Sequence, residues 1–208
     1  MAITLKDLEK KDYLKAIQYA IDGMHFQVYF ENDKYGLYFY ARYFFYSEML
    51  KATTIIAGYD EGQLIGLLIA QVDGQRRCYH SFSKWLYVKL FEGIQRVFFR
   101  GSTGQYEQAC QDMLHTYHKQ HQTQGEIVFL AVDPCQNRKG LGILLLQEFE
   151  KTVLHKTIYL YTDHWCAYQF YDHRCFHRVQ ESDIVLNLQK DVTLKCMLYV
   201  KTVGDVNQ

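Results

Sequence analysis

The clearest change of hydrophobic period along this chain falls between Gly125 and Leu154. The run from Ile127 to Val132 is apolar and too short for a lone helix. It is bounded by Gly125 and by the only proline, Pro134, so a buried strand ending in a turn is favoured. Beyond the turn, Leu141, Leu144, Leu145 and Phe149 recur near helical spacing with Gln147, Glu150 and Lys151 between them, which predicts an amphipathic helix. A polar turn, DPCQNRKGLG, therefore sits where a strand hands over to a helix.

The remaining pattern predicts a helix near Asp12 to Asp22 and a helical aromatic stretch near Tyr35 to Leu50. Two strands follow, Thr53 to Tyr59 and Gln63 to Val72, joined at Asp60-Glu61-Gly62 by a plausible hairpin turn. Further helices are expected near Ser83 to Phe91, Tyr106 to Gln120 and Cys166 to His173. Strands are expected at Thr157 to Thr162, Ile184 to Leu188 and Thr193 to Lys201. No internal repeat is visible.

A helix start has backbone N–H groups without intrahelical partners and a partial positive charge, so an anion placed there gains hydrogen bonds and electrostatic attraction together. In the polar turn, Gly140 and Gly142 lack the Cβ atoms that would hold a ligand away, and Arg138 and Lys139 add positive charge. A diphosphate suits such a turn, and a plain connection remains the alternative. The Walker pattern, with its Gly-Lys-Ser/Thr ending, and the three-glycine dinucleotide fingerprint are both absent.

These residues carry a resemblance. The loop Asn137-Arg138-Lys139-Gly140-Leu141-Gly142 is similar to the acetyl-coenzyme A loop of the GNAT N-acetyltransferase superfamily, usually Gln/Arg-x-x-Gly-x-Gly/Ala. The preceding GEIVFLAV resembles the family's fourth strand, including a glutamate near its beginning, and the 53–72 hairpin resembles its second and third strands. Downstream, His164, Ala167, Tyr171, Cys175 and Phe176 fall on the family's Asn-x-x-Ala-x-x-x-Tyr-x-x-x-Gly-Phe pattern. The chain departs from it with Asn137 for Gln or Arg, Arg138 for a common glycine, His164 for asparagine and Cys175 for glycine. Gln136 is an alternative anion contact.

The resemblance implies a mixed α/β fold: a mostly antiparallel, twisted mixed sheet with flanking helices and a cofactor cleft between the fourth and fifth strands. It spans residues 50–74 and 124–201, leaving 75–123 as a helical insertion in a single domain covering 1–208. The implied cofactor is acetyl-coenzyme A, held by main-chain groups of Leu130, Ala131 and Val132, by Asn137, Arg138, Lys139, Gly140, Leu141 and Gly142, and by His164 and Ala167. The implied reaction is acetyl transfer to a primary amine of a small molecule or peptide, by direct attack in a ternary complex. Such chemistry needs a base for the amine, donors for the carbonyl oxygen and an acid for the departing thiolate. By resemblance, Glu126 is the candidate base, with an ordinary strand-end carboxylate as the alternative. Tyr171 is the candidate acid, with a core tyrosine as the alternative. No catalytic cysteine is assigned. A non-catalytic acyl-coenzyme A sensor and a nucleotide-binding domain remain competing readings.

Composition narrows the partners. Lys plus Arg and Asp plus Glu both number 23, so no broad attraction to nucleic acid or to an anionic membrane is expected, and any basic patch must be local. No apolar run reaches 18 residues and the N-terminus carries no signal-peptide core, so a cytoplasmic location is expected. The six cysteines form no Cys-x-x-Cys pair, which fits reduced thiols, and neither histidine-rich stretch (164–177 or 115–121) has the spacing of a zinc module. Eight aromatics crowd Tyr35 to Tyr46, fit for core packing, for an acceptor pocket or for a subunit contact, and a homodimer is left open.

Overall fold

In a computed structural model, residues 3–30, 33–98, 104–133, 140–187 and 191–204 are described. The strands are β1 (Thr4–Lys6), β2 (Thr54–Asp60), β3 (Gln63–Val72), β4 (Gly125–Val132), β5 (Thr157–Asp163), β6 (His177–Asn187) and β7 (Asp191–Thr202). The helices are α1 (Tyr13–Gly23), α2 (Lys34–Lys51), α3 (Phe82–Phe98), α4 (Gly104–His118), α5 (Leu141–Glu150) and α6 (Gln169–Asp172). The strands form one sheet in the order β1-β2-β3-β4-β5-β7-β6. Every neighbouring pair is antiparallel except β4 and β5.

Side chains alternate across a strand, so each face collects its own core. On one face, Leu141, Leu145, Leu146 and Phe149 of α5 pack on Ile65 and Leu68 of β3, Ile127 of β4, Leu160 of β5 and Tyr199 of β7. Leu141, Leu145 and Phe149 belong to the apolar stripe visible in the sequence, whereas Leu144 of that stripe faces solvent and Leu146 is buried instead; burying each apolar side chain contributes about 1.5–3 kcal/mol. On the opposite face, α1, α2 and Val88 of α3 cover β2, β3 and Phe129 and Ala131 of β4. Cys110 and Met113 of α4 cover β6 and β7 on that same face, because Cys196, Leu198 and Val200 point away from Met197 and Tyr199.

The observed elements differ from expectation at four places. The edge strand β1 was not expected; three residues carry no period, and only its pairing with β2 defines it. Strand β6 starts at His177 rather than Ile184, since its first half is polar and gains its form from the ladder with β7. Helix α6 is one turn long, not eight residues, and α5 stops at Glu150 before Leu154. In the aromatic stretch, Phe45 and Tyr46 are buried, whereas Tyr35, Tyr38 and Phe39 face solvent.

Candidate active site

The sheet opens where its one parallel pair fails to zip. Strands β4 and β5 share only two registered pairs, Gly125↔Ile158 and Glu126↔Tyr159. Beyond them β4 stays with β3 through Val132, and β5 stays with β7 through Asp163. The β5-facing backbone edge of residues 127–132 therefore has no ladder partner among the described residues. A β-bulge adds to the opening. Ile69 pairs with Phe129 and Ala70 with Ile127, so Val128 is the extra residue. It also explains why Ile127 lies in the α5-side core while Phe129, two residues on, lies in the opposite one.

Helix α5 begins beside this opening. Gly140, its N-cap, has φ +104°, and among the described residues no side chain caps the helix. A Cβ on Gly140 would meet open space, so the left-handed backbone rather than crowding makes glycine the fitting residue. Gly142 serves a different need: its missing Cβ lies 3.4 Å from the Phe170 ring and 3.8 Å from Val132, which lets α5, β4 and α6 converge. Nearby, Tyr171 packs on the rings of Phe170, Phe176 and Tyr199. Burial pushes its phenol well above the ordinary value of 10, keeping it protonated. Among the described residues, no hydrogen-bond partner meets that hydroxyl.

Glu126 stands on the other face of the sheet, since its neighbour Ile127 faces α5. Its Oε2 accepts a hydrogen bond from the Tyr159 hydroxyl at 3.0 Å. Burial pushes the Glu126 carboxyl up to about 7; the nearby Glu48 charge adds to the rise, while the Tyr159 hydrogen bond and Lys51 oppose it. Glu48 is itself held by Lys51 at 2.8 Å and by Gln71, whose Nε2 donates to Glu48 Oε2 at 2.9 Å. Gln71 is the β3 partner of Glu126, so the two carboxylates share a neighbour.

The connection after α1 crosses the opening on this face. His25 Nε2 lies 3.1 Å from the Trp165 carbonyl oxygen, and Cys166 Sγ lies 3.5 Å from the Gly23 carbonyl oxygen. Tyr19 donates to Asp133 Oδ2 at 3.2 Å and to the Leu64 carbonyl, fastening α1 to the end of β4. Burial pushes the Cys166 and Cys196 thiols up to about 12, and Cys110 higher still, so all three stay protonated. Among the described residues, no group of three or more His, Cys, Asp or Glu side chains is arranged to hold a metal.

The sequence candidates thus fall into three sets. Leu130, Ala131, Val132, Gly140, Leu141, Gly142 and Tyr171 gather around the opening and the α5 start. His164 is turned to the protein, its Nδ1 accepting from the Lys195 N–H at 3.1 Å, and exposed Ala167 begins the turn into α6. Asn137, Arg138 and Lys139, with Pro134, lie outside the described residues. Sequence reasoning missed Tyr159, Glu48, Gln71 and the bulge at Val128. TIYLYT places Tyr159 on one face of its strand, but nothing local pairs it with Glu126.

No family model and no curated protein matches the chain. Solved structures do match along nearly its whole length. One is a GNAT-family protein from Desulfovibrio desulfuricans, at 10% identity and TM-score 0.54, covering 98% of this chain and 100% of that one. The chain has the GNAT fold. The PaiA N-acetyltransferase from Thermoplasma acidophilum, solved with coenzyme A, matches this fold at 14% identity and TM-score 0.52, over 97% and 99% of the two chains. Arabidopsis thaliana NAA60, solved with a bisubstrate analogue, matches at 14% identity and TM-score 0.54, over 97% and 98%. Identities this low establish shared architecture, so the GNAT-fold chain's chemistry has to be argued from its own residues.

Proposed function

We propose that this protein is a cytoplasmic N-acetyltransferase moving an acetyl group from acetyl-coenzyme A to a primary amine of a small molecule or peptide, by direct attack in a ternary complex. The observation that carries the reading is the unzipped β4–β5 seam with an uncapped helix start beside it. The residues fit the cofactor. Among the described residues the α5 start leaves the Leu141 and Gly142 amides without a partner, with open space over Gly140, which suits a diphosphate. The free edge at Leu130 to Val132 offers main-chain groups to an extended amide-bearing arm, as a neighbouring strand would. When bound, acetyl-coenzyme A supplies an activated acyl group.

The chain's own groups supply proton handling. An alkylammonium must lose a proton before it can attack, and Glu126, with a carboxyl near 7, can hold that proton at neutral pH. Tyr171 stays protonated on the α5–α6 face, with a hydroxyl that no described protein group occupies, and can give its proton to a departing thiolate. Base and acid flank the seam from opposite faces, so one does not discharge the other. PaiA solved with coenzyme A and NAA60 solved with a bisubstrate analogue share this architecture, which supports the reading.

The test pairs cofactor binding with thiol release. Calorimetry should show coenzyme A binding to the wild type and weakened binding to Gly140→Leu, whose side chain enters the space over a left-handed residue. Acetyl-coenzyme A with a panel of amines should release free thiol. Tight binding with no thiol release across the panel would make the protein an acyl-coenzyme A sensor, and ADP or ATP competing as well as coenzyme A would make it a nucleotide-binding domain.

A further inference from the structure

Helix α3 has two apolar faces and only one is covered. Tyr87, Val88 and Phe91 pack on α2, where Phe91 stacks on Tyr43 with centroids 4.6 Å apart. Phe82, Leu86, Leu90 and Ile94 recur every fourth residue on a second stripe, and all four face solvent, Phe82 at 76% and Leu90 at 61%. At 1.5 Å per residue the stripe runs about 18 Å. Exposed Trp85 stacks on Phe82 at its start.

Helices α2 and α3 run antiparallel, since Tyr46 meets Tyr87 and Tyr40 meets Phe91. The exposed Tyr35, Tyr38 and Phe39 of α2 thus adjoin the second half of the stripe, and Tyr87 links the two by donating to the Phe39 carbonyl. Five of these eight exposed side chains are aromatic. A contiguous patch of this kind marks a contact surface rather than scattered exposure.

Charge selects what it contacts. Residues 73–103 hold six lysines and arginines against two acidic residues, in a chain whose totals balance. Arg76 and Arg77 lead into the Phe82 end, and Lys34 opens α2 near the Ile94 end; all three are exposed, and among the described residues none has an ion-pair partner. Arg42, between the helices, lies over the faces of Tyr46 and Tyr87, 5.3 and 5.0 Å away. A second copy docking by a two-fold axis would set this basic rim against itself. Aromatic and aliphatic side chains on one face, with unpaired cations at both ends, match the headgroup boundary of an anionic bilayer.

We propose that the solvent face of α3, with the adjoining start of α2, docks this protein on an anionic lipid surface. No described helix is long and apolar enough to cross a membrane, so the contact is peripheral. It does not depend on the acetyltransferase reading. The test is co-sedimentation of the full chain with phosphatidylserine-containing vesicles and with neutral phosphatidylcholine vesicles. Binding should appear on the first, and weaken in high salt. Leu86→Glu with Leu90→Glu should reduce it at least about tenfold by replacing apolar contacts with like charges. Arg76→Glu with Arg77→Glu, which leaves the helices untouched, should also reduce it. Absence of binding to anionic vesicles, or equal binding by both double variants, would overturn the proposal. So would a concentration-dependent dimer of the wild type that Leu86→Glu with Leu90→Glu dissolves.

Discussion

Replacing Glu126 by Gln should make the protein more stable at high pH and leave it nearly unchanged at low pH. The ordinary carboxyl value is 4.5, and burial raises it to about 7 in the folded protein. Between those values the folded chain retains a proton that the unfolded chain has released. Stability therefore falls as pH rises through that window, by about 1.4 kcal/mol for each pH unit at most. The full effect is about 3 kcal/mol by pH 8, and it vanishes below 4.5, where both states are protonated. Glutamine has the same shape, can accept the Tyr159 hydrogen bond and never ionises. Urea unfolding of both proteins at pH 5, 6, 7 and 8 should show the variant's advantage growing by about 3 kcal/mol, or very roughly 6–12 °C in Tm. Parallel stability profiles would refute the reasoning. An advantage that shrinks with pH would show that Glu126 is stabilised as an anion.

Three further outcomes follow from the geometry. Tyr171→Phe should lower kcat roughly a hundredfold, with the affinity for coenzyme A unchanged in calorimetry, because the hydroxyl bonds to no group among the described residues; unchanged kcat removes its role as the acid. Cys175→Gly should stabilise the fold by about 1 kcal/mol, or about 3 °C in a thermal melt, because Cys175 sits at φ +60° where a Cβ is strained. Gly66→Ala should destabilise by about 1–3 kcal/mol in urea, since its Cβ would come within 2.9 Å of Leu141 and 3.1 Å of the Ala131 carbonyl oxygen.

What could be read from the sequence was what local period encodes. The Gly125 to Val132 strand, the Gln63 to Val72 strand and the start of the helix stripe at Leu141 lie where the pattern put them, because each buries an apolar set of its own. What could not be read depends on partners distant in the chain. His177 to Asp183 is polar and becomes a strand only against β7. The bulge at Val128 is a mismatch between two strands, invisible in either alone. Glu126 stands out in the sequence as the candidate base only through the resemblance, and its environment comes from Glu48, Gln71 and Tyr159, lying 33 to 78 residues away in sequence. Likewise a zero total charge concealed the cationic segment 73–103, because balance over a chain says nothing about where charges stand.

The distribution of the cores across the seam bears on how such a site would work. On the α5 face one cluster runs unbroken from Ile56 and Ile65 through Ile127 to Leu160, Met197 and Tyr199, joining the two halves of the sheet. On the other face the apolar residues divide, one cluster over β2–β4 and another over β6–β7. Glu126 and Tyr159 stand at that division. Across it reach the Tyr159–Glu126 hydrogen bond and contacts at Gly23, His25 and Tyr29. Opening the α5 face would expose a continuous core, and on the other face the connection is itself anchored, with Phe26 buried against Tyr40 and Phe44. The face beside Gly140 and Tyr171 is the continuous one, which on the proposed reading would hold the cofactor in place. On that reading an acceptor amine would reach Glu126 from the divided face.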